Sequence, residues 1–163
     1  MKKIYILRHA AADYYASCDD KDRDLEYIGE MDAHKLGKEL KARGVNFDAI
    51  KCSTAARTMQ TLDIVRKELG YDGAVSYDDD LYSFDTRSVL DVLAGYDDTL
   101  QNLLIVAHNP VCSELVWYLS TDRVHIQLDT CNFAALEYDG DKWAELAEGA
   151  SCRLDYIIKP RYI

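Results

Sequence analysis

Two histidines and two arginines in this 163-residue chain have the chemistry and the placement to handle a phosphoryl group. Arg8 and His9 end the apolar run Ile4-Tyr5-Ile6-Leu7, and His108 ends a second run, Leu103-Leu104-Ile105-Val106-Ala107. Arg57 stands in the first turn of a helix expected after Ser53-Thr54. A phosphoryl group in transfer needs an in-line nucleophile and cations on its equatorial oxygens. A neutral imidazole meets the first need, and passage through a phosphoenzyme divides one hard displacement into two easier ones. His9 is therefore the expected nucleophile, with Arg8, Arg57 and His108 expected to hold the oxygens. This scheme calls for no metal and no cofactor, and the sequence has no metal-ligand spacing.

These residues meet only if the elements carrying them converge. In open α/β sheets ligands bind beyond the carboxyl ends of the strands, and helix N-termini offer free N–H groups to anions. The run through Leu7 reads as a buried, parallel strand. Ala33, Leu36, Gly37 and Leu40 recur at helical spacing, with Gly44 as the stop. Residues 48–52 form a second strand, and Ser53-Thr54 caps a helix with the stripe Met59, Leu62, Val65 and Leu69, closed by Gly70. A third strand covers residues 74–77, and Val89, Leu90 and Leu93 mark another helix. After the strand at residues 102–107, Asn109 suits a cap and Pro110 the first helical position of a helix burying Cys112, Leu115, Val116 and Leu119. Residues 133–138 and 143–146, around Asp139-Gly140-Asp141, read as a closing β-hairpin. The alternation predicts an α/β three-layer sandwich: a mostly parallel central sheet flanked by helices, with that hairpin at the C-terminal end.

Composition narrows the partners. The chain is most simply one domain, residues 1–163, with ordinary shares of apolar (48%) and charged (29%) residues. A formal net charge of −10 repels phosphate backbones and argues against a nucleic-acid role. It also requires any anion site to gather its cations locally. The apolar start breaks at Arg8, too early for a signal peptide, and no stretch is long enough to span a membrane. Five scattered cysteines (Cys18, Cys52, Cys112, Cys131, Cys152), never spaced as CxxC, point to a reducing, cytoplasmic setting and to thiols that serve as small apolar side chains.

The pattern extends beyond four residues. Leu7-Arg8-His9-Ala10 resembles the RHG/RHA signature of the histidine phosphatase superfamily. Arg23-Asp24-Leu25 followed by Gly29 and Ala33 is similar to R-x-L-t-x-x-G-x-x-x-A, with Asp24 where proline is common. The stretch Ser53-Thr54-Ala55-Ala56-Arg57-Thr58-Met59-Gln60-Thr61 resembles S-P-x-x-R-x-x-Q-T, with Thr54 in place of proline. Leu104-Ile105-Val106-Ala107-His108-Asn109-Pro110 resembles the L-x-V-x-H-x-P around the second histidine, and Trp143 falls where one branch often keeps a tryptophan. The resemblance covers about the whole chain, and its short length is similar to the SixA-type phosphohistidine phosphatase branch rather than to the longer phosphoglycerate mutases. It implies attack by His9, a phosphohistidine intermediate, and a phosphate pocket of Arg8, Arg57 and His108. For this branch it also implies a phosphorylated signalling protein as substrate, such as a histidine-containing phosphotransfer domain of a sensor kinase.

Many relatives carry an acidic residue after the third strand. Asp80 is the best match for a general acid, although Asp78-Asp79-Asp80 also reads as a solvated acidic turn. Arg23 reads as a loop anchor, and His34 and His125 as structural residues. Two other functions remain open at this point. One keeps the mechanism on a small phosphomonoester, such as a sugar or nucleotide phosphate. The other is a phosphate-recognition module without turnover, against which the retention of His9 argues, because arginines alone would bind.

Overall fold

Side chains of a strand alternate between the two faces of its sheet, and the first strand is apolar on both. In the computed structural model, which describes residues 1–15, 17–82 and 85–163, β1 (Lys2–Arg8) lies inside a six-stranded sheet. Its Ile4 and Ile6 share one core with Leu103, Ile105, Leu115, Leu119 and Trp143. Tyr5 and Leu7 share the opposite core with Leu36, Leu40, Leu62, Val65 and Phe133. Helices on both faces follow: α1 (Tyr27–Ala42) and α2 (Ala56–Leu69) cover the second core, α3 (Thr86–Ala94) and α4 (Val111–Leu119) the first. The three-layer sandwich expected from the alternation is the fold.

The remaining strands are β2 (Ala49–Ser53), β3 (Val75–Asp78), β4 (Asn102–Ala107), β5 (Phe133–Tyr138) and β6 (Arg153–Ile158). Their order is β3-β2-β4-β1-β5-β6. The first four strands of that order run parallel, while β5 pairs antiparallel with β1 and β6 antiparallel with β5. No helix of the described residues is long and apolar enough to cross a membrane. All five cysteines are free thiols, four of them buried and Cys18 exposed.

The closing hairpin is present, but its second arm is not the one expected. β5 pairs with β6, while Trp143–Glu148 forms a 3-10 turn. Trp143 and Leu146, three residues apart, point the same way and are both fully buried, which suits a helical turn and not an alternating strand. Trp143 is held by its own polar groups: its N–H donates to Asp98 Oδ1 (2.8 Å) and its Nε1–H to the Leu100 carbonyl (3.1 Å).

Two helix starts also differ by a residue or two. Ala55, not Ser53-Thr54, is the N-cap of α2, because Ser53 ends β2 and turns its hydroxyl to His108. Thr58 compensates by donating its hydroxyl to the carbonyls of Ser53 and Ala55. At α4 the N-cap is Pro110. Asn109 still does the capping chemistry from one place earlier, its Oδ1 accepting from the N–H and the hydroxyl of Ser113.

Candidate active site

The two histidines are brought together by register. β1 and β4 are parallel neighbours with Arg8 level with Ala107, so His9 and His108 leave the sheet side by side. The His9 N–H donates to the Ala107 carbonyl (3.1 Å), and the imidazole centroids are 5.3 Å apart. Both side chains are buried. The Nδ1 of His9 is 2.7 Å from the Ala10 carbonyl oxygen. A carbonyl only accepts, so Nδ1 carries the proton and Nε2 keeps its lone pair. His108 Nε2 is hydrogen-bonded to Ser53 Oγ at 2.8 Å.

Arg57 comes to the same place from the first turn of α2 and is 3% exposed. Its neighbour along the helix, Thr61, ties α2 to the loop after β1: the Ala10 N–H donates to Thr61 Oγ1 (2.9 Å), which donates to the Arg57 carbonyl (2.7 Å). Gln60 does the same one step farther out, accepting from the Leu25 N–H and donating to Asp24 Oδ1. Gly29 belongs to this arrangement, since a Cβ there would collide with the Ala11 carbonyl. The motif residues Leu25, Gly29, Gln60 and Thr61 thus lock α1, α2 and the loop after β1 into one frame. Arg8 is fixed from the other side by Nη1 donating to the Leu128 carbonyl (3.0 Å), which also accepts from Asn109 Nδ2.

Electrostatics follow from burying imidazoles among guanidiniums. Burial, reinforced by the positive charges of Arg57, Arg8 and Arg23, lowers His9 from 6.5 to about 4 against the opposing pull of the Ala10 carbonyl. Burial likewise lowers His108 to about 3, with His9 and Arg57 adding to it and Asp20 resisting. Both rings are therefore neutral at pH 7. The Nε atoms of Arg8 and Arg57 are buried and bond to no other group among the described residues. Buried donors without an acceptor are costly, so these two N–H groups fit a bound oxyanion.

Two residues that sequence reasoning passed over complete the site. Asp20, in the 3-10 turn Asp20–Asp22, accepts through its carbonyl and its Oδ2 from the two terminal nitrogens of Arg57 (2.7 and 3.1 Å). The same Oδ2 accepts from the Tyr82 hydroxyl (2.6 Å), and Oδ1 accepts from Arg23 Nε (3.0 Å). The Tyr82 hydroxyl, followed by Arg57 and Arg23, holds the Asp20 carboxyl down at about 2. Tyr82 also stands edge-on to His108, with centroids 5.4 Å apart. Their only sequence signal was the Asp20–Arg23 spacing of three, which is also that of an ordinary surface pair.

Of the residues singled out from sequence, Arg8, His9, Arg57 and His108 converge. Asp80 lies on the neighbouring turn Asp79–Leu81 as an exposed residue whose N–H donates to Asp78 Oδ1. Among the described residues of this segment, Tyr82 stands against His108. Arg23 anchors its loop, as expected, through Asp20 and the Asp13 carbonyl. His34 pairs with Glu68 on the surface, and His125 lies against Trp117.

A mostly parallel sheet that gathers two neutral histidines and two arginines at its strand ends and the first turn of α2 has the chemistry to bind a phosphoryl group. The family model of the histidine phosphatase superfamily (branch 1) matches residues 4–88, more than half of the chain, and the protein belongs to that superfamily. An uncharacterized protein of Mycobacterium tuberculosis is 29% identical over 161 residues, covering 93% of this chain and 99% of its own. A protein of Haemophilus influenzae named a phosphohistidine phosphatase SixA homolog is 29% identical over 163 residues, 91% of this chain and 95% of its own. Among solved structures, one from Nakamurella multipartitia, described as a candidate phosphohistidine phosphatase SixA, superimposes with a TM-score of 0.82 at 29% identity, covering 98% of this chain and 96% of that one. Family and neighbours together support a phosphatase.

Proposed function

We propose that this protein is a phosphohistidine phosphatase that works through a phosphoenzyme on His9, within one domain spanning the chain. The observation that carries this reading is the state of the His9 ring. Nδ1 is committed to the Ala10 carbonyl, the ring is neutral well below pH 7, Nε2 keeps its lone pair, and the two arginines whose charges act on the ring each carry a buried N–H with no partner among the described residues. In the reaction, Nε2 attacks phosphorus, while Arg8, Arg57 and His108 bind the equatorial oxygens and disperse their growing charge. Water then takes the phosphoryl group from His9 and regenerates the free imidazole.

Preference for phosphohistidine over a small ester rests on the likeness to SixA-type proteins and on the leaving group. A nitrogen–phosphorus bond is weak, so a site with little acid assistance suffices. Asp80 is the candidate proton donor where assistance is used, and Asp80→Asn should then slow esters more than phosphohistidine. The substrate we assign is a phosphorylated protein, such as a histidine-containing phosphotransfer domain, met in the cytoplasm.

The test is phosphate release from a phosphorylated histidine-phosphotransfer domain beside a panel of sugar and nucleotide phosphates, with His9→Ala as the blank. Faster release from the phosphoprotein supports the proposal, and faster release from a small ester moves the protein to a metabolic role. Failure to trap an acid-labile, base-stable phosphoenzyme would sink the mechanism.

A further inference from the structure

Asp20 puts a full negative charge directly on the phosphate-binding arginine, which is an odd place for one in a site built for anions. Its carboxylate touches Arg57, Tyr82 and Arg23 at once. It lies on the solvent side of the pocket: the Asp20 side chain is 55% exposed and that of Arg57 only 3%. In-line displacement by a buried His9 sends the leaving group outward, toward this rim. We infer that Asp20 is a specificity-determining residue, selecting substrates whose leaving group carries positive charge before it departs. The inference rests on the proposed function and extends it to the choice between phosphoramidates and phosphate esters.

The charges decide the direction. In phosphohistidine the reactive ring is protonated on its second nitrogen and is a cation. The lone pair of His9 Nε2 forms the new N–P bond, the old N–P bond returns its electron pair to the substrate's nitrogen, and the ring leaves as neutral imidazole with no further proton. Without that proton it would have to leave as imidazolate, a far poorer group. A carboxylate at the rim favours the protonated ring and so the reactive form. In an ester the departing oxygen gains negative charge, which the same carboxylate opposes. Arg57 and Arg23 partly neutralise Asp20, but its removal still shifts the rim by one positive unit. Lys21 borders this set, paired with Asp79 at 3.1 Å and 5.6 Å from the Tyr82 ring centroid, and its charge is common to the wild type and both Asp20 variants.

The experiment compares kcat/KM for N-phosphohistidine and for p-nitrophenyl phosphate in the wild type, Asp20→Asn and Asp20→Glu. The phosphohistidine-to-ester ratio should fall about tenfold or more in Asp20→Asn, the size expected for one nearby charge at a partly screened site, and should recover in Asp20→Glu. A merely structural role would lower both substrates together and leave the ratio unchanged, and that result would overturn the inference while sparing the proposed function. A wild type that releases no phosphate from phosphohistidine would overturn the proposed function and this inference with it.

Discussion

At the level of single residues the proposed mechanism separates one ring that reacts from groups that hold. His9→Ala should abolish turnover and leave the fold intact, as read by phosphate release and circular dichroism. Arg57→Ala should lose about 3 kcal/mol of transition-state stabilisation, the scale of one preorganised donor, seen mainly in kcat. With His9 lowered to about 4, the nucleophile stays unprotonated well below the usual histidine range. The acid limb of kcat/KM for a substrate that does not itself titrate should therefore fall near pH 4 and not near 6.5, and a limb near 6.5 would contradict the burial argument. These four residues were legible because each follows a strand or opens a helix, positions that periodicity locates. Asp20 and Tyr82 were not, since both lie in irregular segments whose path over the site is set by tertiary contacts with Arg57 and His108.

Among the secondary elements, α2 is the template for the loop after β1. Thr61 and Gln60 grip it at Ala10, Asp24 and Leu25, and Gly29 lets α1 close against Ala11. Gly29→Ala should force that contact apart, at about 1–3 kcal/mol by analogy with overpacked cores, and lower kcat as the loop moves. Trp143→Ala tests the opposite case. Its fully buried ring lies in the core under α3 and α4, so the loss should reach about 3–5 kcal/mol in a urea titration while kcat changes little. The strands and helices of the sandwich were readable from apolar spacing. The second arm of the hairpin was misplaced because Asp139-Gly140-Asp141 is a strong turn signal and Trp143 and Leu146 are apolar. What overrode that signal was the polar grip of Asp98 and Leu100 on Trp143, which no local pattern encodes. Leu154, Tyr156 and Ile158 did alternate as a strand should.

For the molecule as a whole, an acidic surface encloses a small cationic pocket, and acid should act on it from within. The unfolded chain takes up protons at His9 and His108 near 6.5, whereas the folded chain does so only near 4 and 3. The unfolded state then binds more protons as pH drops through that interval, so stability is lost there on acidification. A lower urea midpoint at pH 5 than at pH 7.5, with a smaller difference in His9→Gln, is the expected result. The sheet order has a mechanical side as well. His9 and His108 are each one bond beyond adjacent strands whose ladder runs from Lys3 and Asn102 to Arg8 and Ala107. Thermal motion that changes their spacing must stretch that ladder. Arg57 arrives on a helix and Asp20 on a short 3-10 turn, joined by hydrogen bonds from Arg57 to the Asp20 carbonyl and carboxylate and from the Tyr82 hydroxyl to that carboxylate, with no strand ladder between them. The proposed mechanism thus puts the making and breaking of bonds to phosphorus on the half held by the strand ladder, and leaves contact with whatever carries the phosphoryl group to the half held by hydrogen bonds between helix and turn.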